Sequence, residues 1–378
     1  MRLVRFLDAC QTNKCASGKD EMGYPERRSL ITQLQEARGS RVLCFVLSDR
    51  EAFPPMAGFA ANMAGDSQIW VRGLLREIGH VEALDVFLYT RGGATESVWP
   101  LVNILRDHCD RLTVLVPFRA HSAGTMLCLG ANQIVMSDGA ELSPIDPATG
   151  NQFNPRDPNN PAATIGISVE DVQAYFEFAD KVAGIRAEQY LIDVLRQLTA
   201  HIHPLALGNV QRVYLLIGRL ARELMALHRE RDDANFDRIV SGLTTGFYSH
   251  AHAITRREAQ ALLGNDWVVE PDPPTAAAMD ALFNGFADDL HLRDKFNLPQ
   301  EMGDQPTLAV RAIAGYLETD SSSVLYETNV KVTQRPQFPA GVQIQVPPGQ
   351  AIPLGPWATR SYDFGIQTTG WVENREGI

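Results

Sequence analysis

The sequence lacks several features that define large classes of proteins. Its 378 residues carry a formal net charge of -11 and contain no cluster of Lys and Arg, so we expect no nucleic-acid partner. No stretch approaches the roughly 18 consecutive apolar residues of a membrane-spanning helix. Residues 1–14 mix charges into their apolar positions and lack the cleavage site of a signal peptide. These absences predict a cytoplasmic protein without a membrane span.

Cysteine is also scarce. The chain has five cysteines, an odd number that does not suit a disulfide framework. Cys44 and Cys128 lie in apolar runs and are predicted to be small buried hydrophobic residues. Cys10 and Cys15 are not followed by a second Cys or His pair at a metal-ligand spacing. We therefore expect a reducing compartment, and the sequence indicates neither a metal nor a cofactor.

What remains is an ordinary globular composition, with 45% hydrophobic and 21% charged residues. From residue 41 onwards, short apolar runs alternate with amphipathic segments. The runs predict strands at residues 41–47, 85–89, 112–116 and 133–136, and the segments predict helices at residues 67–78, from the turn at 92–93 to about 108, and at 123–130. This alternation is typical of an α/β fold with a mostly parallel sheet and helices packed on it.

The remainder of the chain is less regular. Five prolines interrupt residues 144–161, which excludes a continuous helix there. Residues 168–228 predict a pair of long helices that are too apolar to be solvated, and Thr255 with Glu258 predicts a capping box before a strand at 267–269. We expect an N-terminal arm at residues 1–40 with one helix over 27–37, a central domain at 41–272, and a helical and β-rich extension at 273–378.

The sharpest local feature is Ser122, within the run Arg-Ala-His-Ser-Ala-Gly-Thr at residues 119–125. Small residues surround this serine between a predicted strand and the start of a predicted helix, which is what an accessible nucleophile requires. The free N–H groups at the helix start favour a developing anion, so Ala123 N–H is a candidate oxyanion donor. Taken alone, small residues at such a turn more often serve close packing.

A second turn changes that balance. Gly92 and Gly93 follow the predicted strand at 85–89, and paired glycines let the backbone turn sharply and present N–H groups to a ligand oxygen. Both turns follow strands of one parallel sheet, so they are expected to converge at one edge. We predict an oxyanion hole formed by Gly92, Gly93 and Ala123 beside the nucleophile Ser122.

These stretches resemble the serine dehydrogenase proteinase family, which is related to signal peptide peptidase A and the Clp protease. Residues 90–93 are similar to that family's Thr-Pro-Gly-Gly, 121–125 to its nucleophile motif, 143–147 to its Gly-Pro-Ile-Asp-Pro segment and 249–254 to its closing motif, in the same order. The resemblance covers about residues 41–271. It implies the Clp/crotonase superfold, a repeated β-β-α spiral, and a serine-type peptidase that acts on peptide or protein substrates as a homo-oligomer.

One residue departs from the family pattern. Arg91 stands where the family usually has Pro, which puts a charge beside the expected oxyanion site. It either binds a substrate carboxylate or lies in solvent.

The general base has two candidates. Residues 142–152, where the Clp protease would have its His, contain none. Lys181 occupies a place broadly like that of the family's lysine and needs desolvation to act as a base; otherwise it is a surface lysine. His250 matches a family histidine, or else anchors the last strand. Asp146 has two interpretations: it orients one of these bases, or it caps a turn. His121 is interpreted as a packing residue.

Two other functions are compatible with the same fold. In the first, the chain is a catalytically inactive oligomeric binding module or adaptor, and the helix pair and the β-rich extension make the functional contacts. In the second, less favoured, it is a crotonase-like acyl-CoA enzyme with the same type of oxyanion hole.

Overall fold

The computed structural model of the chain describes residues 23–51, 62–145, 148–158, 160, 163–247, 249–337 and 359–374. The α-helices in this part of the chain are α1 (Tyr24–Arg38), α2 (Gln68–Ile78), α3 (Val98–Arg106), α4 (Ala123–Leu129), α5 (Val169–Glu177), α6 (Glu188–His201), α7 (Pro204–Ala226), α8 (Asp233–Thr244), α9 (Arg256–Leu263), α10 (Pro273–Asp289) and α11 (Leu298–Met302). The strands are β1 (Arg41–Leu47), β2 (Val81–Tyr89), β3 (Cys109–Val116), β4 (Arg119–Ala120), β5 (Gln133–Met136), β6 (Glu141–Leu142), β7 (Ala148–Thr149), β8 (Ile167–Ser168), β9 (Ile254–Thr255), β10 (Val268–Val269), β11 (Thr307–Glu318), β12 (Ser323–Gln337) and β13 (Thr359–Glu373).

An eight-stranded sheet forms the centre of the molecule, in the order β10-β5-β3-β2-β1-β11-β12-β13. The five strands from β10 to β1 are parallel, and the next three are antiparallel. The parallel strands are nearly continuous apolar runs because both of their faces are covered. The predicted α/β class with a mostly parallel sheet in the central domain is confirmed, and β1 and β5 have the predicted bounds.

Each face of the sheet packs against its own layer of helices. Leu43 and Phe45 of β1 face a large core that includes side chains of α2, α3, α4 and α7. Val42 and Cys44 alternate with them and face a second core made largely with α1 and α10. Cys44 and Cys128 are fully buried, as predicted.

Helix α1 belongs to the core, although it falls within the segment expected to be an arm. Arg27 is 1% exposed and its guanidinium binds Glu318 at the end of β11, with an Nη2–Oε1 distance of 2.7 Å. The same group lies 2.9 Å from Asp289 and 4.4 Å from the centre of the Tyr316 ring. Glu318 is 291 residues away in sequence, so nothing local to Arg27 indicates that its charge is buried.

The β-rich character predicted for the C-terminal region is confirmed, and its strands continue the main sheet. Strand β11 pairs antiparallel with β1, placing Cys44 opposite Glu318. Strands β12 and β13 follow as a long antiparallel pair. The strand that borders β1 therefore comes from the far end of the sequence.

The two long helices predicted within residues 168–228 differ in burial. Helix α7 buries Ile217 and Leu224 in the large core, as predicted. Helix α6 has no buried residue in the described part of the chain, so the prediction of a buried pair is wrong for α6. Its apolar residues Tyr190, Ile192 and Leu195 are exposed because no described element packs against that side. None of the described helices combines the length and apolar character needed to cross a membrane.

His228, just after α7, is held in the large core. Its Nε2 lies 2.9 Å from the carbonyl oxygen of Leu129, and its ring packs edge-on against Trp267 at 5.0 Å. Burial lowers the pKa of His228 from 6.5 to about 4; the hydrogen bond to Leu129 opposes this effect, and Arg106 and Arg229 add to it. The imidazole is therefore neutral in the folded protein at neutral pH.

Arg27→Met is expected to destabilise the protein by roughly 3–5 kcal/mol, because it leaves the Glu318 carboxylate buried without its partner. The double variant Arg27→Met/Glu318→Gln should recover much of this loss. The free energy of unfolding, measured by denaturant titration, tests both statements. The neighbouring Arg28 is exposed, so Arg28→Met should change stability by less than about 0.5 kcal/mol. Equal effects at positions 27 and 28 would contradict the role of the pair.

The shifted histidine predicts a pH dependence. Since the unfolded chain binds a proton at His228 below about pH 6.5 and the folded chain only below about pH 4, stability falls as the pH drops through this window. Between pH 7 and pH 5 the loss from this group is roughly 2 kcal/mol. In His228→Gln, the free energy of unfolding should fall less over the same interval. An identical pH dependence in both proteins would rule out this contribution.

Candidate active site

A row of short pairings at the ends of the strands brings the distinctive sequence segments together. Thr90, just after β2, forms a parallel bridge with Ala120 of β4. Strand β4 pairs with β6, and β6 pairs antiparallel with β9. The Gly92-Gly93 turn, the Ser122 turn, the segment after β6 and the segment before β9 therefore lie side by side. The convergence of the first two turns was expected from the parallel sheet, and the structure confirms it.

Ser122 occupies an unusual backbone conformation between β4 and α4. Its φ is 50° and its ψ is -110°, and the turn is closed by a 2.7 Å hydrogen bond from Gly124 N–H to His121 O. These angles match the first central position of a type II′ turn, which favours glycine because a Cβ is strained there. Such strain costs about 1–3 kcal/mol and clusters at functional sites. The Ser122 side chain is half-buried, and its hydroxyl makes no hydrogen bond to any residue that the structure describes.

The glycine turn lies directly against this serine. A Cβ at Gly92 would lie 2.8 Å from Ser122 Cβ and 3.2 Å from the backbone nitrogen of Ala123. A Cβ at Gly93 would lie 2.2 Å from the carbonyl oxygen of Met63. Met63 fixes the turn by donating its N–H to Gly92 O and accepting from Ala94 N–H, both at 2.8 Å. Glycine is required at both positions because backbone approaches backbone here.

The backbone N–H groups around Ser122 are of two kinds. The Gly92 N–H donates to Thr90 Oγ1 at 2.9 Å, and the Ser122 N–H donates to Ser143 Oγ at 2.7 Å. Within the described ranges, the N–H groups of Gly93 and Ala123 have no acceptor. Gly92 therefore contributes a close backbone contact, while Gly93 and Ala123 have donors available for a ligand oxygen.

Alternating charges run along the same edge of the sheet. Asp49 binds both Arg91 and Arg119 at 2.8 Å, and Arg119 binds Glu141 at 2.7 Å. His121 Nε2 lies 3.0 Å from Glu141, close enough for an ion pair but not aligned for a hydrogen bond. Burial, opposed by Glu141 and supported by the two arginines, lowers the pKa of His121. The side chain beside the serine thus belongs to a charged network that the packing interpretation did not foresee.

A cleft of about 510 Å³ lies beside this network. Arg91 and Arg119 line it together with the aromatic side chains of Tyr89, Phe118 and Phe283. The Arg91 side chain is 52% exposed, and it forms an ion pair with Asp49. Its predicted role towards a substrate carboxylate stays a prediction.

The two candidate bases are both exposed. Lys181 lies in a π-helical turn, Phe178–Val182, after α5; its side chain is 63% exposed and its Nζ lies 2.9 Å from Glu177. His250 is exposed in the turn before β9. In this arrangement Lys181 does not have the desolvation that a base role requires. The roles of Lys181 and His250 stay predictions, and Asp146 lies outside the described residues.

The sequence did not indicate the contacts that several residues make at the site. Met63 follows no motif, yet its backbone holds the glycine turn. Asp49 reads as a loop residue after β1, and only the fold places it between two arginines. Ser143 begins a recognised segment, but its bond to the Ser122 N–H spans 21 residues. Long-range contacts of this kind leave no local periodicity.

Residues 18–169 match the family described as ClpP-like SDH-type serine proteinase. This match includes β1 to β6, the Gly92-Gly93 turn and Ser122. This part of the chain is therefore similar to that serine proteinase family, and the resemblance inferred from the motifs is confirmed for those within residues 18–169.

Two uncharacterised proteins of Methanocaldococcus jannaschii are similar to the chain. MJ1495 is 23% identical over 61% of this chain and 68% of its own length. MJ0137 is 31% identical over 47% of this chain, and the match spans about half (51%) of that relative. Among solved structures, a serine-to-alanine mutant of the membrane-bound stomatin-specific protease 1510-N matches 55% of this chain and 75% of its own, at 14% identity and a TM-score of 0.34.

The strained turn predicts an unusual response to glycine. Ser122→Gly should be more stable than Ser122→Ala by about 1 kcal/mol, because glycine relieves the Cβ strain and this outweighs its greater entropy in the unfolded chain. Both variants lack the hydroxyl, so the comparison isolates the backbone. Equilibrium unfolding in urea measures the difference. If glycine is the less stable of the two, as at an ordinary extended position, the turn is not strained.

Proposed function

We propose that the chain is a serine-type peptidase in which Ser122 attacks a peptide carbonyl and the N–H groups of Gly93 and Ala123 bind the resulting oxyanion. The observation that carries the proposal is the close approach of the Gly92-Gly93 turn to Ser122, with two N–H groups beside it that have no acceptor in the described part of the chain. Donors that are fixed in place before the reaction stabilise developing negative charge without reorganisation. The match of residues 18–169 to a serine proteinase family supports the same reaction.

The reaction requires a proton acceptor. As the Ser122 oxygen bonds to the carbonyl carbon, its proton passes to the base, and the base then returns a proton to the amine when the C–N bond breaks. Water subsequently hydrolyses the acyl ester and restores the serine. We propose Lys181 or His250 as this base, with Asp146 as its orienting group, on the family resemblance. Hydrogen bonds of catalytic groups are often formed only when substrate binds, so their exposure in the free chain does not exclude them.

A second candidate function is a binding module that retains the fold without catalysis. Two observations favour it: the Ser122 hydroxyl has no hydrogen-bond partner among the described residues, and α6 leaves its apolar side chains exposed. We also propose that the protein assembles as a homo-oligomer and is located in the cytoplasm.

A fluorophosphonate probe distinguishes the two functions. We expect a single covalent adduct at Ser122, located by peptide mass spectrometry, and no adduct in Ser122→Ala. Ser137→Ala is the control, because Ser137 is a buried serine whose hydroxyl contacts Met279 of α10 and no described residue of the site. If the native chain is not labelled while a control hydrolase is, the peptidase proposal fails.

The same probe identifies the base. Replacing the true base should slow labelling by about 100-fold or more, so Lys181→Met and His250→Gln should differ sharply. Equal wild-type rates in both variants would remove both candidates.

A further inference from the structure

Ser143 makes a contact with the nucleophile that the proposed reaction does not use. It follows β6 and is only 2% exposed. Its hydroxyl oxygen accepts a hydrogen bond from the Ser122 N–H at 2.7 Å and donates its own hydrogen to Pro144 O at 3.0 Å. The hydroxyl is therefore fixed in direction, with its acceptor side turned to the serine backbone.

Thr125 fixes the position of Ser143 independently of that hydroxyl. The Ser143 N–H donates to Thr125 Oγ1 at 3.0 Å, and the Thr125 hydroxyl lies 2.9 Å from Ser143 O and 2.8 Å from Ala120 O. Thr125 is completely buried in the first turns of α4. The backbone at position 143 is thus joined to the helix that follows Ser122.

The Ser122 turn requires such an anchor. A non-glycine residue with φ 50° and ψ -110° persists only where its surroundings over-determine the conformation. Bonds from Gly124 N–H to His121 O and from Met126 N–H to Ser122 O hold the turn on the side of the helix. Ser143 Oγ holds the amide of the serine itself, which neither of those bonds reaches.

We propose that Ser143 is a positioning residue that holds the Ser122 backbone in its reactive conformation. By accepting the Ser122 N–H, it also leaves Gly93 and Ala123 as the donors available to the oxyanion. This inference rests on the proposed peptidase function for its catalytic consequence. Its structural part, the anchored Ser122 amide, stands on the contacts alone.

The test compares Ser143→Ala with the wild-type chain. Alanine removes the acceptor but leaves both backbone bonds to Thr125, so the variant should fold. Labelling of Ser122 by the fluorophosphonate should slow at least tenfold in its maximal rate, while the probe concentration for half-maximal rate stays unchanged. Ser143→Thr keeps the hydroxyl and should restore much of the rate. Ser137→Ala, a buried serine whose Oγ contacts only Met279 Sδ at 3.9 Å within the described chain, should behave as wild type.

A second measurement does not depend on catalysis. In protein labelled with ¹⁵N-serine, the Ser122 amide is identified by its loss in Ser122→Ala, and its hydrogen exchange is followed by NMR. Exchange should be at least tenfold faster in Ser143→Ala than in the wild type or in Ser137→Ala.

Unchanged exchange overturns the proposal, even if labelling slows. Faster exchange with an unchanged labelling rate overturns the catalytic role. If the wild type is never labelled, the peptidase function fails, and exchange alone decides the anchor.

Discussion

The site depends on one close contact, that of the Gly92 backbone with the turn at residues 121–123. The bridge between Thr90 and Ala120 sets the two strand ends side by side, and the missing side chain of Gly92 lets them touch. Any Cβ there would meet both Ser122 and the His121 carbonyl oxygen. This contact joins the strained serine turn to the glycine turn, and it thereby brings together the N–H groups of Gly93 and Ala123, which have no acceptor among the described residues.

The rest of the fold keeps those strand ends in place. Strands β1, β2 and β3 are buried on both faces, so their register is strongly specified. The buried Arg27–Glu318 pair joins α1 to β11, and β11 closes the other side of β1. Residues from both ends of the sequence thus support the strand next to β2. Burial of this pair carries a desolvation cost, which is offset by its two hydrogen bonds and by the stacked ring of Tyr316.

Backbone and side chains contribute unequally to the site. Ser122, Ser143 and the N–H groups of Gly93 and Ala123 are positioned by hydrogen bonds that involve the backbone at the ends of strands and at the start of α4. The candidate bases lie on exposed segments, one after α5 and one before β9. In the proposed reaction, the serine is therefore activated from segments that are more exposed than the edge of the sheet. The nearby chain of ion pairs from Arg91 to His121 adds charge to that edge without contacting the serine hydroxyl.

The sequence by itself determined the alternation of strands and helices, the capping box at Thr255 and Glu258, and the segments around Gly92 and Ser122, because these depend on local periodicity and on residue size. It did not show that α1 and β11 join the core, since the burial of Arg27 depends on a partner 291 residues away. Nor did it show that α6 stays exposed, because its apolar pattern matches that of a buried helix. Only the tertiary structure decided which N–H groups lack an acceptor among the described residues, since Ser143, which accepts from the Ser122 N–H, becomes its neighbour only when the strand ends meet.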